Sequence, residues 1–82
     1  MELKELLQLT SLNKAVRTFA TQNNRINLVE ELQKLENWKV IQQRNASYGS
    51  YYLFRDKSNN FISIYTGKDK MFDTIIINEN VI

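Results

Sequence analysis

The 82-residue sequence contains no histidine and no cysteine, and it has only two glycines, Gly49 and Gly67. Histidine is the commonest general base in enzymes, cysteine is a frequent nucleophile, and together they supply most zinc ligands. Two separated glycines cannot form a P-loop or a dinucleotide-binding fingerprint, since both motifs need closely spaced glycines. We therefore expect a protein that is not an enzyme and that binds no cofactor and no metal.

Carboxylate pairs are the remaining candidates for acid–base chemistry. Glu30 and Glu31 are adjacent in the sequence, and Asp69 and Asp73 are four residues apart. Neighbouring residues on a helix do not face each other, so Glu30 and Glu31 cannot act as a facing pair there. We interpret both pairs as solvated surface charge and predict no catalytic residues.

The lack of cysteine also excludes a disulfide framework, which favours a reducing compartment. Residues 1–7 contain two acidic side chains and no long apolar run, unlike a signal peptide. The longest apolar run, Ile75–Ile77, is far too short to span a bilayer. We expect a soluble cytoplasmic protein with no membrane partner.

The first half of the chain has apolar residues at helical spacing. Three stripes predict short helices near 2–9, 11–22 and 27–37, with the first two either separate or fused into one kinked helix. Thr10 or Ser11 is expected to cap the second helix, and Asn27 the third. The stripes are Leu3, Leu6 and Leu7; Leu12, Ala15, Val16, Phe19 and Ala20; and Leu28, Val29, Leu32 and Leu35.

From Trp38 onward the apolar period changes to two, which is typical of strands. Strands are predicted at 38–44, 50–55, 61–66 and 73–78, with turns at 45–49, 56–60 and 67–70. Short connections between consecutive strands favour an antiparallel meander. The predicted fold class is α+β: three short N-terminal helices packed on a three- to four-stranded antiparallel β-meander. Residues 1–82 are predicted to be a single domain, with helices in about 2–37 and strands in about 38–80.

The strands do not alternate cleanly between apolar and polar residues, as a sheet covered on one face should. Three short helices cover one face, so we expect the second face to be partly apolar and exposed, as interaction sites often are. In the second strand Tyr51 and Leu53 face one side, and Tyr52 and Phe54 the other. In the third strand Phe61 and Tyr65 oppose Ile62 and Ile64, and in the fourth strand Ile76 opposes Ile75 and Ile77.

Our leading hypothesis is a non-catalytic protein-binding module that acts by stoichiometric association through its sheet face and edge strand. Tyrosine is enriched at binding hot spots because it buries a large area and keeps a polar tip. The last strand, 74–78, has no charge and is expected at an edge open to pairing. The partner is another protein or a second copy, as in a dimer. The predicted binding residues are Tyr48, Tyr51, Tyr52, Tyr65, Ile75 and Ile77.

The second hypothesis is nucleic-acid binding by the first hairpin. Lys39, Arg44, Arg55 and Lys57 cluster there with tyrosines between them, a combination that single-strand binders use. Residues 39–82 supply the whole net charge of +2, with six basic and four acidic residues against five and five in 1–38. Four cations, however, contribute only a modest phosphate-contact energy.

The order of elements resembles the winged-helix family, with 11–22 and 27–37 as the helix-turn-helix pair and 38–56 as the wing. The resemblance implies an alternative winged-helix-like fold and DNA contact by the second helix of the pair. That helix carries Glu30, Glu31 and Glu36 against Lys34 alone, which is unfavourable next to phosphates.

The small size and the abundance of asparagine, isoleucine and lysine are associated with phage and mobile-element genes. A phage or mobile-element inhibitor or accessory protein is thus one concrete form of the leading hypothesis. No small-molecule substrate is indicated.

Overall fold

A computed structural model of the chain describes residues 2–23, 25–67 and 74–79. Three helices precede four strands, and the strands form one antiparallel sheet in the order β1-β2-β3-β4, which confirms the predicted α+β class and the meander. The hairpin of β1 and β2 is the first half of this continuous sheet and not a separate two-stranded wing. The elements are α1 (Leu3–Leu9), α2 (Leu12–Gln22), α3 (Arg25–Lys34), β1 (Trp38–Ala46), β2 (Gly49–Asp56), β3 (Phe61–Gly67) and β4 (Thr74–Asn78).

The helix boundaries follow local capping. Thr10 has extended backbone angles, and its N–H donates to the carbonyl of Leu6 at the end of α1. Ser11 caps α2, since its Oγ accepts from the N–H of Lys14 at 3.4 Å. The two helices are therefore separate, and Ser11 is the cap among the two candidates.

The predicted start of α3 was wrong. The helix begins at Arg25, so Asn27 lies inside its first turn and not at the cap position. The predicted start was placed by the apolar stripe, which begins only at Leu28. The first turn of the helix is exposed, as the 61% exposure of Ile26 shows, so no buried residue marks it in the sequence. At the other end the helix stops at Lys34, short of the predicted residue 37, and the N–H of Leu35 bonds to Leu32 in a tighter turn.

The core lies between the three helices and one face of the sheet. Helix α3 packs on β1 and β3, and α1 packs on α2. No polar or charged residue is buried among the described residues, so the core is held by apolar burial alone. The buried side chains are Leu3, Leu6, Ala15, Val16, Phe19, Leu28, Val29, Leu32, Trp38, Phe54, Ile62, Ile64 and Ile75.

Strand β1 contains a bulge. Val40 pairs with Phe54 and Gln42 pairs with Leu53, so Ile41 has no partner on β2. A strict period of two would place Arg44 on the same face as Val40. The extra residue reverses the alternation, and Arg44 instead lies opposite Tyr51.

The loop between β2 and β3 is organised by one carboxylate. Asp56 Oδ1 accepts from the N–H groups of Ser58 and Asn60 at 2.9 and 2.8 Å, and Oδ2 accepts from Asn60 Nδ2 at 2.8 Å. Asn59 has a φ of 62°, which asparagine tolerates better than most residues. This is the turn predicted at 56–60. The predicted turn residues 68–70 and the start of the fourth strand at Asp73 lie outside the described residues.

No helix in the described ranges has the length and apolar character needed to cross a membrane.

Candidate interaction surface on the open face of the sheet

The register divides the sheet into two faces, because residues paired across neighbouring strands share a face. The face that contains Phe54 packs against the helices. We call the other one the open face, and no side chain described on it is buried. Its rows across the sheet are Lys39, Arg55, Phe61 and Asn78; Gln42, Leu53, Ser63 and Ile76; Arg44, Tyr51 and Tyr65; and Ala46, Gly49 and Gly67.

The open face carries the apolar residues that the alternation pattern assigned to a second face. Tyr51, Leu53, Phe61 and Tyr65 are half-buried, and Ile76 is 45% exposed. On the opposite face Phe54, Ile62 and Ile64 are fully buried. Within each strand, the residues expected on opposite faces do lie on opposite faces, and the register shows which faces of the three strands belong together. Leu53, Phe61 and Ile76 were not among the predicted binding residues, although the same alternation pattern marked them.

Tyr51 and Tyr65 form an aromatic stack on the open face. They are direct partners on β2 and β3, their ring centroids are 4.7 Å apart, and their planes differ by 10°. Parallel rings at this separation cannot lie side by side in one plane without atomic overlap, so they face each other. The stack lies beside a shallow depression of about 380 Å³, which Arg44 and Tyr48 also line.

Tyr48 lies in the two-residue turn between β1 and β2 and is 59% exposed. The structure thus brings three of the predicted binding residues, Tyr48, Tyr51 and Tyr65, to one end of the open face.

The other three predicted binding residues lie on the helix-covered face. Tyr52 packs against the core, with its ring centroid 6.5 Å from that of Phe54. Ile75 is buried and Ile77 is partly buried against the same core. Their side chains therefore contribute to packing, and we do not include them in the open face.

The basic residues predicted for nucleic-acid binding are divided. Lys39, Arg44 and Arg55 are exposed and lie on the open face, whereas Lys57 lies in the turn after β2. Lys39 and Arg55 are direct cross-strand partners. When the Gln42 amide is oriented with its oxygen toward Arg44, that oxygen accepts from Arg44 Nη2 and Nε, each at 3.2 Å.

The described open-face positions contain no carboxylate. The helical side differs, because a shallow depression next to α1 and α3 is lined by four carboxylates and one lysine. Those residues are Glu2, Glu5, Glu30, Glu31 and Lys34. The open face thus carries positive charge without a carboxylate of its own, although Glu36 and Asp56 line a shallow depression together with Lys39, Arg55 and Lys57.

Strand β4 is an edge strand, as predicted, and part of its edge is covered. Bonded and non-bonded pairs alternate along an antiparallel ladder. The N–H of Asp56 donates to the carbonyl of Asn60, so these two residues are a bonded pair of β2 and β3. Bonded pairs recur at every second residue, so Ile64, which lies four residues after Asn60 in the same register, also points its backbone N–H and carbonyl at β2. Ile75, the partner of Ile64 on β4, must then direct its own carbonyl away from the sheet, and Arg17 Nη2 from α2 donates to that oxygen at 3.4 Å.

One further contact joins α2 to the residue after β4, since the N–H of Asn13 donates to Glu79 Oε1 at 3.2 Å. Within α2, Arg17 Nε donates to Asn13 Oδ1 at 2.7 Å, which orients the guanidinium. The sequence contains no signal for these contacts, since Arg17 and Ile75 are 58 residues apart. The opposite edge, β1, has a bulge together with Lys39 and Arg44, which are common protections of an edge strand.

The described residues contain no group of three or more side chains suited to hold a metal ion. Glu30 and Glu31 line the depression next to α1 and α3, and Asp69 and Asp73 lie outside the described residues.

No protein-family model, curated protein or solved structure matches the chain.

Proposed function

We propose that the protein is a non-catalytic protein-binding module that associates stoichiometrically with its partner through the open face. The observation that supports this is the set of apolar and aromatic side chains that are half-buried or exposed on the face of the sheet that no described helix covers. Such a patch, bordered by polar and basic groups, is typical of a protein interaction site. The set is Tyr51, Leu53, Phe61, Tyr65 and Ile76.

The size of the open face limits the strength of this association. Strands lie about 4.8 Å apart and successive rows about 6.7 Å apart, so four strands and four rows cover roughly 400–500 Å² with side chains included. A standard interface buries about 800 Å² on each partner. We therefore expect a weak or transient complex, unless the partner also contacts the hairpin at Tyr48.

The geometry of the tyrosines favours a protein over single-stranded nucleic acid. Binders of single strands offer free aromatic faces on which bases stack. In the stack of Tyr51 and Tyr65 each ring covers one face of the other. The row next to it has aliphatic residues, Leu53 and Ile76, which cannot stack on a base in this way.

The proposal is tested by capture from host extract with quantitative mass spectrometry. We expect a set of proteins that Tyr51→Ala and Leu53→Ala both lose and that Ile26→Ala retains. Ile26 is the matched control because it is an exposed apolar residue on α3, on the helix-covered side of the sheet and not on the open face. Size-exclusion chromatography of the same variants tests a second copy as the partner. If every captured protein and the oligomeric state are unchanged by the open-face variants, the proposal is wrong.

Nucleic-acid binding is the second candidate, and it is supported by the shared location of Lys39, Arg44 and Arg55 on the open face. It predicts affinity for a single-stranded oligonucleotide that falls steeply with salt and is lost in Arg44→Glu/Arg55→Glu. Fluorescence anisotropy at two salt concentrations measures this. Absence of binding at both would remove the candidate.

A cytoplasmic location and a role as a phage or mobile-element inhibitor or accessory protein remain parts of the proposal. They are supported by the composition of the sequence alone.

A further inference from the structure

The pairing of Lys39 with Arg55 opposes folding. Like charges directly opposite each other on neighbouring strands destabilise a sheet. Both side chains are exposed, and neither forms an ion pair in the described part of the chain. The pair therefore costs stability, and no ion pair among the described residues offsets that cost. Glu36 and Asp56 line the same shallow depression as the pair, but the Asp56 carboxylate is already bonded to Ser58 and Asn60, so an external anionic group would still relieve the cost.

The charges and apolar residues follow a regular order along β1 and β2. The first row has Lys39 and Arg55, the next has Leu53, and the third has Arg44 and Tyr51. Successive rows are separated by the rise of two residues, about 6.7 Å, so the outer rows are about 13 Å apart. The three rows are thus cationic, apolar and cationic in turn, and their spacing equals the distance between every second residue of an extended chain.

We propose that the open face binds an extended acidic segment of a partner protein, with the pattern acidic–x–apolar–x–acidic. This inference rests on the proposed function. In an extended segment, residues i, i+2 and i+4 point to the same side and are spaced about 6.7 Å apart. One carboxylate then lies over Lys39 and Arg55, the apolar side chain over Leu53, and the second carboxylate over Arg44.

A helix fits this order less well. At a rise of 1.5 Å per residue, two carboxylates 13 Å apart would be about nine residues apart, and the segment between them would cover more than one row. An extended segment can instead pack over the sheet nearly parallel to β2, as the strands of two facing sheets do.

A display library of random ten-residue peptides provides a defined probe. Selection is carried out on the wild-type protein, on Lys39→Glu/Arg55→Glu and on the control Lys4→Glu/Lys14→Glu, whose lysines are exposed on α1 and α2. Circular dichroism checks that each variant is folded. We expect the wild type and the control to enrich peptides with two acidic residues four apart and an apolar residue between them.

A synthetic peptide from the selection should bind the wild type and the control equally. We expect at least about tenfold weaker binding to Lys39→Glu/Arg55→Glu, because two attractive charges become repulsive. Unchanged affinity or unchanged acidic enrichment with the reversed charges would overturn the inference.

The remaining outcomes distinguish the inference from the proposed function. The selection can also enrich peptides that have no acidic bias and whose binding is lost in Tyr51→Ala and Leu53→Ala. That result would overturn the inference that the partner segment is acidic, and it would leave the proposed protein binding intact. No enrichment of any peptide would overturn the acidic segment alone, and the capture experiment with the open-face variants then decides the proposed function separately.

Discussion

The two faces of the sheet contain similar apolar residues in different surroundings. Phe54, Ile62 and Ile64 on the helix-covered face have no exposed area, whereas Leu53 and Phe61 on the open face remain half-buried. The difference does not come from hydrophobicity, since leucine and phenylalanine are as apolar as the residues of the core. It comes from the helices, which pack on one face only, so residue type alone does not identify the core of this sheet.

The largest effect is expected from truncation on the covered face. Phe54→Ala should lower the free energy of unfolding by about 3–5 kcal/mol, because it leaves a cavity in a fully packed core. Leu53→Ala, one residue away on the open face, should cost less, about 1–2 kcal/mol, since a half-buried side chain leaves no closed cavity when it is removed. Urea denaturation measures both. Equal losses would contradict the assignment of the two faces.

Gly49 is a position on the open face where an added side chain would meet the backbone of β3. A Cβ there would overlap the carbonyl oxygen of Thr66 and lie 2.8 Å from the Cα of Gly67, and the φ of Gly49 is +157°. Gly49→Ala should therefore destabilise the fold by roughly 1–3 kcal/mol through steric strain. The control is Ala46→Gly at its exposed partner position on β1. A Gly49→Ala variant with unchanged urea midpoint would show that β2 and β3 can separate at this end.

Removal of Arg17 tests whether the β4 edge is protected. Arg17→Ala frees the outward carbonyl of Ile75 and should cost about 1 kcal/mol, the contribution of one hydrogen bond at a partly exposed site. We also expect concentration-dependent self-association by strand pairing, measured by analytical ultracentrifugation. Lys14→Ala on the same helix is the control. If the Arg17 variant stays as monomeric as the control, the guanidinium does not guard the edge.

The smallest effect is expected at the like-charge pair. Lys39→Gln removes the repulsion from Arg55 and should raise the free energy of unfolding by a few tenths of a kcal/mol. The gain should shrink at high salt, because exposed charges are screened. Denaturation at low and high ionic strength measures this. A loss of stability at low salt would mean that Lys39 has a favourable contact in the folded protein.

Much of the fold could be predicted because the signals are local. Apolar spacing marked the three helices, and the change of period at Trp38 marked the sheet. The alternation around Tyr51 and Tyr52 also indicated that one ring lies on each face. Boundaries were less accurate where no buried residue marks them, as at the exposed first turn of α3.

The candidate site was predicted in part. Tyr48, Tyr51 and Tyr65 come together at one end of the open face, whereas Tyr52 is taken up by the core. A sequence pattern separates the two faces but does not state which of them the helices will cover. That choice depends on how α3 packs on β1 and β3, and such packing is a contact between distant segments.

The amino-acid pattern alone was sufficient for the α+β class, the antiparallel meander and the presence of a second apolar face, since each follows from the spacing of neighbouring residues. Tertiary structure decided three other features: the covered face, the bulge at Ile41 that turns Arg44 toward Tyr51, and the bond from Arg17 to the edge of β4. Each of these depends on pairing between segments far apart in the chain, because register and packing are properties of the assembled layers and not of one strand or helix.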